Sequence, residues 1–195
     1  MWRIIIAALI FVAPIAQAQT IHVPEGYVLQ ELRPTGGQIA KPANWQYHDF
    51  AGSNGWTWII AASDPTKWYD IGWRTQLLIG VESGTKRPRA DFVRNFINQK
   101  RTTGQVLRDC PQSDQGDFFL ICLETIETLK TPSGERRFHI LYSVFWGKQM
   151  DMVYVTTSGA PEEDWETARP AFEVMRNFII IGADFANKGT AGKQQ

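Results

Sequence analysis

The sequence has few of the residues from which metal and redox centres are built. It contains three histidines and two cysteines, with no H-x-x-x-H spacing and no C-x-x-C motif. Zinc sites and thioredoxin-like redox centres depend on such spacings. Nucleophile motifs of the G-x-S-x-G type and calcium-loop patterns are also missing. The sequence therefore predicts no metal ion, no cofactor and no catalytic residue.

An enzyme, in particular a hydrolase, is the alternative to a non-catalytic protein, and its active site would be one that no known motif reveals. Its base would be His48 or His139. His48 and Asp49 are neighbours on a predicted strand, so their side chains point to opposite faces of the sheet. Glu124 and Glu127 are three residues apart on another predicted strand, which separates the two carboxylates in the same way. Neither pattern favours catalysis.

Charge of one sign is not in excess. The chain has 20 lysines and arginines against 20 aspartates and glutamates. Nucleic acids and anionic membrane surfaces attract strongly basic proteins, so neither is predicted as a partner. The short charged runs 86–89 and 135–137 lie beside turn residues and are interpreted as solvated loop charge.

The chain also lacks an apolar run long enough to span a membrane. The longest run, Ile4–Ile15, has about a dozen residues, whereas a spanning helix needs about 20. Arg3 precedes this run, and Ala16–Ala18 supplies a small-x-small cleavage site after it. This order predicts a secretory signal peptide over residues 1–18, with an uncleaved anchor as the alternative. We expect cleavage before Gln19, a periplasmic or secreted protein, and no stable membrane insertion afterwards.

The chain that remains after cleavage of the signal peptide has the length of one ordinary domain. We expect a single α+β domain over residues 19–185, because no internal repeat or interdomain linker interrupts the sequence. Residues 186–195 are small and polar, and they are predicted to be a disordered tail. The sequence leaves the oligomeric state open.

The two cysteines flank a stretch rich in turn-forming residues. A hairpin centred near Gln115 and Gly116 places Cys110 directly opposite Cys122. Paired positions on antiparallel strands hold their Cβ atoms about 4.5–5.5 Å apart, which suits a disulfide. In an exported protein we therefore predict a Cys110–Cys122 bridge, with two buried free thiols as the alternative.

Hydrophobic periodicity predicts an antiparallel α+β fold. Short strand patterns separated by turns fill the chain before and after a predicted helix at Ala90–Arg101, and Ile71–Glu82 is predicted to be one long strand. A second helix follows from apolar residues recurring every three or four positions between Trp165 and Ile179. Tight turns exclude parallel crossovers, so we predict a single antiparallel sheet packed by two main helices.

Three features of the chain resemble the Mog1/PsbP/DcrB-like superfamily. They are the stretch Gly37–Trp45 with its strand, proline and tryptophan, the central helix flanked by strands, and a closing helix with the late aromatics Phe172 and Phe178. The resemblance covers about residues 27–181 and implies a single antiparallel sheet packed by helices. Adaptor, assembly, chaperone and secretion-associated proteins occur in this superfamily without shared catalytic residues, so the resemblance implies no site. The cysteine pair and the crowded tryptophans depart from its pattern.

Five of the eight tryptophans lie between Trp45 and Trp73. Aromatic residues dominate both cores and binding surfaces, so two interpretations remain. Trp45, Trp56, Trp58 and Trp73 are interpreted as a sheet–helix core, with a binding patch as the alternative for this set. Trp68 and Tyr69 fall in a predicted loop, where burial is less expected. The candidate binding residues are Trp68, Tyr69, Trp56 and Trp73.

These observations favour an exported, non-catalytic binding protein. Its expected partner is an envelope or secreted protein that it chaperones, assembles or inhibits. A periplasmic immunity protein against a secreted toxin is the alternative within the same class, because such proteins are also small, exported and free of catalytic motifs.

Overall fold

The computed structural model describes residues 21–182 and Phe185. The predicted signal peptide over residues 1–18 and the predicted tail over residues 186–195 lie outside this range. The strands are β1 (Tyr27–Leu32), β2 (Gly36–Pro42), β3 (Gln46–Gly52), β4 (Gly55–Ala61), β5 (Gly72–Ile79), β6 (Gln105–Gln115), β7 (Phe118–Thr131), β8 (Gly134–Gly147), β9 (Met152–Pro161) and β10 (Phe178–Ile181). The helices are α1 (Val81–Thr85), α2 (Arg89–Thr103) and α3 (Trp165–Met175), with a 3-10 turn at Glu162–Asp164 before α3. In the described part of the chain, no helix combines the length and the apolar character needed to cross a bilayer.

The strands form two antiparallel sheets. The large sheet has seven strands in the order β3-β4-β5-β9-β8-β7-β6, and the small sheet has three in the order β1-β2-β10. The α+β class is confirmed, but the prediction of a single sheet is wrong. Pro42 ends β2, and the backbone N–H of Trp45 donates to the Pro42 carbonyl at 3.0 Å, which turns the chain away before β3 begins. The second edge of β2 then pairs with β10.

The apolar spacing predicts a C-terminal helix that extends to Ile179, and the structure corrects this. Helix α3 ends at Met175, and Ile179 lies in β10, where it pairs with Gln38 of β2. The sequence of β10 is apolar and mostly β-branched, which favours an extended backbone once a partner strand is available. The remaining apolar positions of the predicted helical stripe are buried as expected: Trp165, Ala168, Phe172 and Met175.

The predicted long strand at Ile71–Glu82 is also shorter in the structure. Strand β5 ends at Ile79, and Gly80 has a φ of 72°, a conformation that glycine adopts without strain. The carboxylate of Asp151 then accepts the backbone N–H groups of Glu82 and Ser83 at 2.8 and 2.9 Å. These bonds satisfy two donors at the start of α1, so the chain turns into a helix here.

The large sheet is covered on both faces. Helix α2 packs on one face, which we call the α2 face, with Val93 and Ile97 buried against β7 and β8. The small sheet and α3 cover the opposite face. Trp58 and Trp73 are fully buried between the two sheets, and the indole N–H of Trp58 donates to the Arg33 carbonyl at 2.7 Å. The core-forming interpretation of these two tryptophans is confirmed.

The predicted disulfide is present. Cys110 on β6 lies opposite Cys122 on β7, and their Cα atoms are 5.0 Å apart. The turn lies at Gly116 and Asp117, slightly beyond the predicted centre, and a register shift between Cys110 and Ser113 brings the two cysteines opposite each other. Strand β6 is at the edge of the large sheet, so the bridge fastens a strand that has only one neighbour. In the chain-entropy model a loop of this length stabilises the fold by about 3 kcal/mol.

Candidate functional site

An open cleft of about 410 Å³ lies on the α2 face of the large sheet. Its floor is formed by β5, β9, β8 and β7, one wall is α2, and the other wall is the β4–β5 loop (residues 62–71). We call it the aromatic cleft, after side chains that include Trp68, Tyr69, Phe96, Phe138 and Tyr142. A concave, mostly apolar cavity of this size with a few polar groups is typical of a ligand site.

Trp68 stands at the rim of the aromatic cleft with 45% of its surface exposed. Its indole N–H donates to Asp70 Oδ1 at 2.6 Å, and its ring lies edge-to-face on buried Phe138 with centroids 6.4 Å apart. These two contacts orient the ring, although nearly half of it faces solvent. A large exposed aromatic side chain in a fixed orientation is well suited to contact a partner.

Arg136 on β8 secures the loop that carries Trp68. Its guanidinium donates to the second carboxylate oxygen of Asp70 at 2.9 Å and to Glu163 Oε1 at 2.8 Å. The hydrogen bond with Glu163 raises the pKa of Arg136 above its usual value. The guanidinium therefore stays charged and links the β4–β5 loop to the sheet and to the 3-10 turn before α3.

The Tyr69 ring packs closely on the backbone of β5 because the residue beneath it is a glycine. A Cβ atom at Gly72 would come within 2.8 Å of the Tyr69 ring and 3.0 Å of the Ile60 carbonyl oxygen. Burial raises the pKa of the Tyr69 hydroxyl, and the nearby charge of Arg74 acts in the opposite direction. The phenol is therefore uncharged at neutral pH.

Gly159 on β9 pairs with Gly72 and continues this shallow floor. A Cβ at Gly159 would have only ordinary contacts, the nearest being Ile140 Cγ1 at 3.6 Å. The cleft is thus open above this glycine, where a side chain of the protein itself would otherwise stand.

The deepest polar group of the cleft is Glu127, which is 4% exposed. Its Oε1 accepts from the Tyr142 hydroxyl at 2.7 Å and from the Thr125 hydroxyl at 3.1 Å, and its Oε2 lies 3.4 Å from Lys100 Nζ. Burial and the bond to Glu127 raise the pKa of Tyr142. The carboxylate is engaged by three donors, and its charge is balanced by Lys100, so this end of the cleft is electrically neutral.

Arg74 on β5 is the cation of the cleft without such a partner. It is exposed and lies opposite Thr157 of β9. Within residues 21–182 and at position 185, no carboxylate lies within 4.0 Å of its guanidinium. Lys67 at the rim, by contrast, pairs with Asp64 at 3.5 Å. The residues that line the aromatic cleft thus carry three cations, Lys67, Arg74 and Lys100, against two carboxylates, Asp70 and Glu127.

The four candidate binding residues from the sequence do not meet in one place. Trp68 and Tyr69 line the aromatic cleft. Trp73 points to the opposite face, is fully buried, and packs edge-to-face on Phe178 with centroids 5.4 Å apart. Trp56 shares that face and is partly buried. Only the loop pair is accessible at the cleft.

Sequence reasoning missed most of the cleft. Arg74 directly follows Trp73 on β5, so the alternation of side chains along a strand places the two residues on opposite faces of the sheet. The sequence does not indicate that the face carrying Arg74 is open to solvent at this position. In the sequence, the apolar residues of the lining indicate only strands and a helix, and Glu127 is recognised only as a strand residue. The lining that was missed consists chiefly of Arg74, Phe96, Glu127, Phe138 and Tyr142.

The histidines lie outside the cleft. His139 Nε2 is 2.7 Å from Glu124 Oε1, and its ring stacks on Trp165 with centroids 3.8 Å apart. This contact lies on the face opposite the cleft. Across the described residues, no hydroxyl group hydrogen bonds to the ring of His139 or His48, and no three His, Cys, Asp or Glu side chains are grouped to hold a metal ion.

No protein-family model matches the sequence, and no curated protein matches it. Three solved structures illustrate what the chain is similar to. Cyanobacterial PsbP (CyanoP) from Synechocystis sp. PCC 6803 is 14% identical, with a TM-score of 0.47 over 85% of this chain and 98% of that one. The Saccharomyces cerevisiae Ran-binding protein Mog1p is 12% identical, with a TM-score of 0.49 over 82% and 97%. LpqN, involved in cell envelope biogenesis of Mycobacterium tuberculosis, is 13% identical, with a TM-score of 0.41 over 84% and 83%.

The chain is thus similar to solved structures of the Mog1 and PsbP kind, as its sequence predicts. The similarity concerns the arrangement of strands and helices.

Proposed function

We propose that this protein is an exported, non-catalytic binding protein whose partner is an envelope or secreted protein. The partner docks at the aromatic cleft and is chaperoned, assembled or inhibited by this contact. The observation that carries the proposal is the orientation of Trp68, whose half-exposed ring is held at the rim by Asp70 and Phe138. Tryptophan and arginine are the residues most enriched at the energetic centres of protein interfaces.

The distribution of polar groups in the cleft also supports binding over catalysis. Glu127, its buried carboxylate, is already engaged by Tyr142, Thr125 and Lys100. Among the described residues, the groups that can still meet a partner include the Trp68 ring and the Arg74 guanidinium. Both recognise ligands by contact and charge, and neither is a usual proton-transfer group at neutral pH.

Export is supported by the disulfide and by the sequence of residues 1–18. Disulfides persist in oxidising compartments and are rare in the cytosol. We expect the intact mass of the protein from the periplasm or medium to correspond to a chain beginning at Gln19 and to rise by two hydrogens on reduction. A chain that still carries Met1–Ala18, or one whose mass does not change on reduction, would contradict export with an intact Cys110–Cys122 bridge.

Partner binding is tested by capture from envelope extract with purified variants. We expect Trp68→Ala to lower partner capture strongly, because removing a central aromatic anchor costs about 2 kcal/mol or more of binding free energy. Leu29→Ala is the matched control. Leu29 is 48% exposed, close to the value for Trp68, but it lies on β1 of the small sheet.

The proposal requires that the two variants differ. If Trp68→Ala and Leu29→Ala capture the same proteins in the same amounts as the unmodified chain, the aromatic cleft is not the docking site. Thermal unfolding of each variant, recorded beside the capture, separates a loss of binding from a loss of fold.

A further inference from the structure

We infer that the aromatic cleft recognises an anionic peptide segment, in which a carboxylate stands next to an aromatic or large aliphatic side chain. The inference rests on the proposed function and specifies its ligand. Arg74 binds the carboxylate, and the apolar side chain enters between Trp68 and the open floor above Gly159.

The charge requirement follows from the ion pairs of the cleft, which engage its other charged side chains and leave Arg74. Glu127 is paired with Lys100 and Lys67 with Asp64, while Asp70 shares Arg136 with Glu163 and Asp164. Arg74 remains as the charge without a partner among the described residues. A guanidinium offers paired N–H donors that match the two oxygens of a carboxylate, and such charge-assisted bonds are stronger than neutral ones.

The apolar requirement follows from the surfaces next to Arg74. The strand ladder places Arg74 beside Thr157 of β9, which in turn pairs with Tyr142 of β8. Trp68 and Phe138 form an edge-to-face pair at the neighbouring wall. A ligand that reaches Arg74 therefore lies against aromatic rings, whose apolar area binds a side chain of the same kind.

The size of the cleft limits how much of a partner it accepts. Its volume of about 410 Å³ is near the lower end of the range of about 300–1,000 Å³ typical of small-ligand sites. A short segment with one or two side chains fits such a space. The carboxylate can come from the end of a chain or from an acidic side chain, and the chemistry at Arg74 is the same for both.

The inference is tested with three synthetic peptides and purified protein. The first is acetyl-Gly-Ser-Gly-Phe with a free terminal carboxylate, the second is the same peptide amidated, and the third is an amidated peptide with Glu beside Phe. Calorimetry is expected to show that the free acid or the Glu peptide binds about tenfold or more tightly than the neutral amide. A preference for the first identifies a chain terminus as the source of the carboxylate, and a preference for the third identifies an acidic side chain.

Arg74→Gln is expected to remove this difference, while Arg74→Lys retains part of it. Arg169→Gln, which changes an exposed arginine paired with Glu166 and Glu173 on α3, is the control and should leave the preference unchanged. Because Arg74 is exposed and pairs with no described carboxylate, its replacement should leave thermal unfolding unchanged.

Two results would overturn the inference. One is that neither carboxylate peptide binds more tightly than the neutral amide, and the other is that Arg74→Gln keeps the preference. The proposed function is tested separately: if Trp68→Ala lowers partner capture while Arg74→Gln does not, the docking site stands and only its anionic ligand is wrong.

Discussion

Alanine in place of Trp58 is expected to lower the free energy of unfolding by about 3–5 kcal/mol. Trp58 is fully buried between the two sheets, and its indole N–H bonds to the Arg33 carbonyl. The substitution removes the apolar contacts of a large ring, leaves a cavity that the sheets cannot easily close, and deprives the carbonyl of its donor. Urea denaturation followed by circular dichroism measures the change.

Trp68→Ala is the matched comparison, because it deletes the same side chain from an exposed site. Its free energy of unfolding should fall by less than about 1 kcal/mol. Equal losses for the two variants, or a larger loss for Trp68→Ala, would mean that Trp68 serves the core and would remove the basis for a recognition role.

Valine in place of Gly159 is expected to weaken partner binding by about tenfold to a hundredfold without loss of stability. The new side chain occupies the floor of the aromatic cleft, and fitting a ligand into the filled space costs about 1–3 kcal/mol. Valine is also favoured over glycine within a strand. Affinity for the captured partner and thermal unfolding are measured on the same preparations.

The size of the added side chain should set the size of this effect. Gly159→Ala fills less of the floor and should weaken binding less than Gly159→Val. Gly84→Val is the control, since a Cβ at Gly84 in α1 has no atom within 4 Å and lies outside the cleft. Unchanged affinity in Gly159→Val would show that the partner does not enter the cleft.

Local patterns in the sequence were sufficient to predict most strands, helix α2 and the disulfide. The turn-rich segment predicts that β6 and β7 pair as a hairpin, but the exact pairing of Cys110 with Cys122 depends on a register shift between Cys110 and Ser113 that no local pattern indicates. The two-sheet arrangement could not be predicted in the same way. Residues 178–181 continue the apolar spacing of α3, and they become a strand only because the distant β2 has a free edge.

Of the residues that line the aromatic cleft, the sequence predicts only those in the β4–β5 loop as binding residues. Trp68 and Tyr69 stand out because a loop gives aromatic rings little reason to be buried. Arg74, Phe138 and Gly159 come from three strands, and they meet because β5, β9 and β8 are neighbours in the large sheet. That neighbourhood depends on long-range pairing, which no local pattern in the sequence encodes.

The most direct test of a docking site at the aromatic cleft is a nitrogen–proton correlation spectrum of the tryptophan indoles, recorded while the captured partner is added. The Trp68 signal is assigned by its loss in Trp68→Ala. It should shift or broaden in proportion to occupancy, because its N–H lies at the cleft rim bonded to Asp70. The signals of Trp58 and Trp73, buried between the sheets, should stay unchanged. A partner that moves other indole signals and leaves Trp68 unchanged would contradict a docking site at this cleft.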